Sequence, residues 1–94
     1  MTFQDLKFRP HPYAPFGAQA VVMYDNGYGL SVVTGDRMFQ CGPDTYEVAV
    51  LHNYRLCYTT PLADGVLGYQ TPGDVTALME RVSQLPGWVG RGEF

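Results

Sequence analysis

The chain has 94 residues and a formal net charge of −3, from nine acidic and six basic side chains. This length fits one domain, and the mild, dispersed charge lacks the basic footprint of a protein that binds nucleic acid or anionic lipid. An aromatic content of 14% is typical of a packed fold, not of a disordered chain. We predict one α+β domain over residues 1–94, an antiparallel sheet of about four strands packed against one C-terminal helix.

The first predicted segment is a proline-containing arm over residues 1–17. Pro10, Pro12 and Pro15 argue against a helix or a central strand. Large apolar side chains in this arm would be left in water unless they packed, so we expect them to dock on the body. They are Leu6, Phe8, Tyr13 and Phe16.

The clearest signal is a hairpin, with strand-like residues 18–24 and 28–34 on either side of Asn26-Gly27. Asn-Gly readily supplies the two positive φ angles of a type I′ turn. A two-residue loop pairs Met23 with Leu30 and predicts one apolar face. That face carries Val21, Met23, Leu30 and Val32. A shift of one residue would exchange the two faces.

The rest of the predicted sheet lies within residues 18–60. Turn signals indicate an irregular loop over 35–45, followed by a third strand over 46–51. A fourth strand is predicted over 56–59, where Pro61 stops it. We expect a connector over residues 61–70.

The final predicted element is a helix over residues 71–85. Thr71 suits the N-cap, Pro72 suits the first helical position, and Asp74 favours the positive end of the helix dipole. One apolar stripe follows at helical spacing. It comprises Val75, Leu78, Met79, Val82 and Leu85.

No residue pattern indicates catalysis, a cofactor or a metal. Cys41, Cys57, His11 and His52 are the candidate nucleophiles and ligands, but they lack Cys-x-x-Cys or His-x-x-x-His spacing. We predict no catalytic residue, metal or cofactor, and no direct nucleic-acid contact. The start of the chain lacks the pattern of a signal peptide, and no apolar run is long enough to span a membrane. A cytoplasmic protein with two free thiols is the expectation, and whether those thiols ever pair is left open.

Surface tyrosines and arginines are the remaining candidates, because protein interfaces are enriched in both residue types. The alternative, that most of them pack within the fold, stays open. The predicted partner-binding residues are Tyr24, Tyr28, Arg37, Tyr54, Arg55, Tyr58, Asp64 and Tyr69. The half-apolar second face of the hairpin leaves open a homodimer.

Three segments resemble a group of small proteins encoded by tailed bacteriophages. They are DNGYGLSVVTG at 25–35, YEVAVL at 46–51 and YTTPLADGVLGY at 58–69, and the helix over 71–85 fits the same pattern. Gly65 departs from that pattern, which carries a second acidic residue there.

The resemblance implies a phage accessory protein that works in the cytoplasm of the bacterial host. Small non-enzymatic phage proteins often bind and block a host protein, and anti-CRISPR proteins are one such class. The hypothesis is therefore an inhibitor of a host defence complex, such as a CRISPR effector. The alternative is a phage accessory or minor assembly protein that binds another host protein or a virion protein.

Overall fold

The computed structural model describes residues 1–56 and 66–86, which form an antiparallel sheet with a helix packed on one face. The strands are β1 (Arg9–Pro10), β2 (Ala18–Met23), β3 (Tyr28–Thr34), β4 (Tyr46–His52), β5 (Arg55–Leu56) and β6 (Val66–Gln70), and the helix is α1 (Pro72–Ser83). The strand order is β1-β2-β3-β4-β5, and β6 also pairs with β4. These elements confirm the predicted α+β class.

The predicted two-residue turn at Asn26-Gly27 is wrong. The loop contains three residues, 25–27, and is closed by Tyr24 N donating to Tyr28 O at 2.8 Å and Gly27 N donating to Tyr24 O at 3.1 Å. Gly27 has a φ of +89°, which matches a turn followed by a left-handed glycine bulge. The register therefore places Met23 opposite Gly29, one residue from the predicted pairing with Leu30.

This one-residue difference moves half of the predicted apolar face to the other side of the sheet. Val22 and Tyr24 pack against the core, whereas Val21 is 46% exposed on the opposite side. Leu30 and Val32 are fully buried, as predicted. Because β-strand side chains alternate, the extra loop residue decides which β2 side chains the core receives.

The two-residue turn with two positive φ angles lies instead between β4 and β5. Asn53 has a φ of +54° and Tyr54 a φ of +68°, and the flanking His52 and Arg55 are paired. These are the backbone conformations of a type I′ turn. Asparagine tolerates the left-handed region, whereas tyrosine enters it at a cost.

The predicted connector over 61–70 ends in a strand. β6 pairs with β4 through Val48 opposite Leu67 and Ala49 opposite Val66, with a register shift between Tyr46 and Val48. Gly68 weakens the strand pattern in the sequence, because glycine inside a strand has no side chain to pack. The predicted fourth strand, 56–59, lies outside the described residues from position 57 onward.

The core lies between α1 and one face of β3 and β4. It contains Tyr28, Leu30, Val32, Val48, Val50, Val75, Leu78, Met79 and Val82. α1 begins as predicted: Thr71 Oγ1 accepts from Asp74 N at 3.1 Å, and Asp74 Oδ2 accepts from Thr71 N at 3.0 Å. The helix ends at Ser83, two residues before the predicted end, while Leu85 still packs against the core.

The arm docks through a different set of side chains from the one predicted. Leu6 and Phe8 pack against the core, and so does Phe3, whose ring lies 4.9 Å from that of Tyr46. In contrast, Tyr13 is 87% exposed and Phe16 is 83% exposed. The prediction that these two rings dock is wrong, because the chain turns between Ala14 and Gly17, with Gly17 N donating to Ala14 O at 2.9 Å. Ala14 and Gly17 are buried instead.

Candidate binding surface

The sheet face opposite α1, called here the outer face, is also largely apolar. Its floor consists of alternate residues from β2 to β6: Val21, Val33, Ala49, Leu51, Leu56 and Val66. Val33, Ala49 and Leu51 are buried, whereas Val21, Leu56 and Val66 are each about half exposed. A sheet with one solvated face would alternate with polar residues here, so the apolar floor requires an explanation.

A groove of about 370 Å³ runs over this floor. One wall contains His11 from the arm and Phe39 from the loop 35–45, whose ring centroids lie 5.2 Å apart. His11 Nδ1 accepts hydrogen bonds from Tyr13 N and Ala14 N, both at 3.1 Å. These bonds hold the imidazole in place as part of the wall.

The polar side chains of the groove already have partners. Gln19 Nε2 donates to Ser31 Oγ at 3.0 Å. Glu47 Oε1 accepts from Gln40 N at 3.1 Å. The groove therefore offers mainly apolar contact.

The candidate chemical residues are not assembled in this groove. Cys41 lies in a separate depression with Arg37, and its Sγ is 3.9 Å from Asp36 O. Among residues 1–56 and 66–86, no three His, Cys, Asp or Glu side chains cluster as metal ligands. Cys57 lies outside the described residues.

Tyr54 stands beside the groove with 72% of its surface exposed. It occupies the second central position of the β4–β5 turn, with a φ of +68°. Tyr69 in β6 is similar, since it is 63% exposed with a φ of +55°. Both rings are presented to solvent from a backbone conformation that glycine or asparagine adopts more easily.

The predicted partner-binding residues divide between several places. Tyr28 is 8% exposed and its ring lies 5.2 Å from that of His52, so it is a core residue. Tyr24 is half-buried on the core side, and burial raises the pKa of its hydroxyl. Tyr58 and Asp64 lie outside the described residues.

The exposed members of the set are also far apart. Tyr54 and Arg55 follow the His52 end of β4, whereas Tyr69 is close to its Tyr46 end. A seven-residue strand spans about 20 Å, so these groups do not form one compact patch. Arg37 is exposed in the loop 35–45.

Sequence reasoning missed the apolar groove residues Val21, Leu56 and Val66. The available signal was the other side of β4, where Ala49 and Leu51 follow Glu47 at alternate positions. Val48 and Val50 are apolar on the core side of the same strand. A strand that is apolar on both sides indicates that both faces of the sheet pack against something or bind a partner.

Comparison with protein-family models, curated proteins and solved structures finds no match to this chain. In the described part of the chain, no helix is long and apolar enough to cross a membrane. The phage resemblance and the predicted partner both stay predictions.

Proposed function

We propose that this protein is a phage-encoded, non-enzymatic inhibitor that binds and blocks a host defence complex, and specifically an anti-CRISPR protein. The phage setting depends on the sequence resemblance. The proposed contact surface is the groove of the outer face together with Tyr54. A CRISPR effector protein is the proposed partner.

The observation that carries the binding proposal is the backbone conformation of Tyr54. A left-handed conformation costs a residue other than glycine about 1–2 kcal/mol, and an exposed ring recovers little of that cost through packing. Strained residues of this kind concentrate at binding sites, where the side chain is needed. Tyrosine is also among the residues that contribute most to protein interfaces.

The apolar floor beside Tyr54 supports the same surface. Val21, Leu56 and Val66 are 46%, 48% and 45% exposed around one groove. Exposed apolar side chains that are contiguous mark interaction surfaces, whereas scattered ones are ordinary. A partner that covers the groove would remove this surface from water.

The test is a phage plaque assay in a bacterium whose CRISPR system targets the phage. Expression of the wild-type chain should restore plaque formation, and the tagged chain should copurify with the CRISPR effector. Tyr54→Gly should lose both effects while unfolding at an equal or higher temperature, because glycine relieves the backbone strain. Phe16→Ala is the control, since it removes a ring that is 83% exposed and does not line the groove.

Two outcomes would contradict the proposal. Recovery of virion proteins alone, without restored plaques, would favour the assembly-protein alternative. Full activity of the folded Tyr54→Gly variant would exclude the outer face as the contact surface.

A further inference from the structure

A second groove lies between the arm and an unpaired edge of β2. β1 pairs with β2 only through Arg9 opposite Gln19 and Pro10 opposite Ala18. On the N-terminal side of Arg9 the arm leaves the sheet, because Phe8 and Leu6 pack into the core. Among the described residues, no strand therefore pairs with this edge over residues 20–23.

The outward backbone groups of this edge can be assigned from the alternation of an antiparallel ladder. Tyr24 N donates to Tyr28 O, so the groups of Tyr24 point towards β3. His11 N donates to Gly17 O, so the groups of Gly17 point away from β3. Alternation between these two positions directs the N–H and C=O groups of Val21 and Met23 outward.

At Val21 this edge lines a groove rather than open solvent. The groove encloses about 570 Å³, with Gln19, Val21 and Val22 on one side and arm residues on the other. The arm side includes Leu6 and Lys7. The groove therefore provides space beside the unpaired edge of β2.

The charge of the groove favours an acidic occupant. Lys7 and Arg9 line it, which places two of the six basic residues of an acidic protein at one strand edge. The acidic side chain there is Asp5, whose Oδ2 already accepts from Thr2 N at 2.7 Å. The groove therefore complements carboxylates on an incoming segment.

We propose that β2 binds an extended acidic segment of a partner protein by strand addition. The segment would pair with the outward groups of Val21 and Met23, and its carboxylates would contact Lys7 and Arg9. Backbone pairing supplies affinity in this binding mode, and the flanking side chains supply specificity. A second copy of this chain is the competing occupant, which the test below distinguishes from an acidic segment.

The experiment uses the full chain and a capped seven-residue peptide in which glutamate alternates with valine. Amide hydrogen exchange followed by NMR should slow at Val21 and Met23 by about tenfold when most of the protein is bound. Exchange at Val22, which already pairs with β3, should be unchanged. Two matched peptides should have no effect at the same concentration: one with lysine in place of glutamate, and one with N-methylated backbone amides.

Protein variants test the same contacts from the other side. Val21→Pro removes one outward N–H and should abolish protection at Met23, while Val21→Ala keeps the N–H and should retain it. Proline is tolerated at such an edge position, because its nitrogen does not face the neighbouring strand. Lys7→Glu combined with Arg9→Glu should reverse the preference, so that the lysine peptide binds.

Three results would overturn the proposal. They are unchanged exchange across β2 at millimolar glutamate peptide, equal binding of the N-methylated peptide, and protection that rises with protein concentration without peptide. The last result would identify a second copy as the occupant.

Discussion

The side chain of Asn26 joins the hairpin loop to the end of the helix, with its Nδ2 2.9 Å from Val82 O and 3.0 Å from Leu85 O. Its Oδ1 also accepts from Tyr28 N at 3.0 Å. One amide therefore satisfies two carbonyls at the helix end, where intrahelical donors run out. It also holds the loop that sets the register of β2 and β3.

We expect Asn26→Asp to destabilise the fold by about 2 kcal/mol, because it removes both donated hydrogen bonds and places a negative charge at the helix C-terminus. The loss should shrink as the pH falls towards about 4, the ordinary pKa of aspartic acid, because the protonated side chain can donate again, and it should be smallest below that pH. Urea unfolding at several pH values measures this. Gln4→Ala, an exposed substitution, is the control, and a variant as stable as the wild type at neutral pH would contradict the role of Asn26.

Tyr24→Phe should leave the protein as stable or make it slightly more stable. The Tyr24 hydroxyl is buried, and no hydrogen-bond partner is found for it among the described residues. Removing an unsatisfied buried hydroxyl recovers its desolvation cost, whereas removing a bonded one loses a hydrogen bond. Thermal unfolding, with Tyr13→Phe as the exposed control, should show no loss for either variant.

Stability at high pH should depend on the same hydroxyl. Burial raises the pKa of Tyr24 above its ordinary value of 10.0, so the folded state holds this proton more tightly than the unfolded state. Its contribution is complete below the unfolded pKa and is lost as the pH rises through the folded pKa. As the pH rises from the unfolded pKa to the folded pKa of Tyr24, the free energy of unfolding should fall less for Tyr24→Phe than for the wild type. An equal fall for both proteins, measured by urea unfolding at several alkaline pH values, would refute this.

Gly35→Ala should destabilise the fold by about 1–3 kcal/mol, because the position is left-handed and crowded. Gly35 has a φ of +92°, and an added Cβ would lie 2.6 Å from Phe16 O. Gly73→Ala is the matched variant: in the first turn of α1, its nearest heavy atom would be Thr71 Oγ1 at 3.8 Å. That substitution should stabilise by about 0.5–1 kcal/mol, and opposite signs in urea unfolding are the expected result.

The capping box of α1 should behave as one unit. Thr71→Ala should cost about 1 kcal/mol, because the first helical N–H groups lose an acceptor. Asp74→Ala removes the reciprocal bond to Thr71 N. Since each substitution breaks part of the same pair, the double variant should lose less than the two single losses combined. Additive losses in a double-mutant cycle would show that the two bonds act separately.

The start of α1 and the strands at 28–34 and 46–52 could be predicted because their signals are local. Thr71, Pro72 and Asp74 satisfy the helix terminus within a few residues of one another. The candidate surface was only partly predictable. Exposure of Tyr54 follows from a turn, but burial of Tyr28 depends on the register and on the helix that covers it.

By itself, the sequence determined the α+β class, the hairpin between residues 18 and 34, and the amphipathic helix, since each follows from periodicity and capping over short distances. Only the tertiary structure decided which face of β2 is buried, which arm rings dock, and that Val66–Gln70 joins β4. These outcomes depend on contacts between distant segments, such as Asn26 with Val82 and Phe3 with Tyr46. The bulged residue Gly27 shifts the register of β2 by one position and so exchanges its two faces. Which of the two turns forms depends on how well the resulting face of β2 packs in the core.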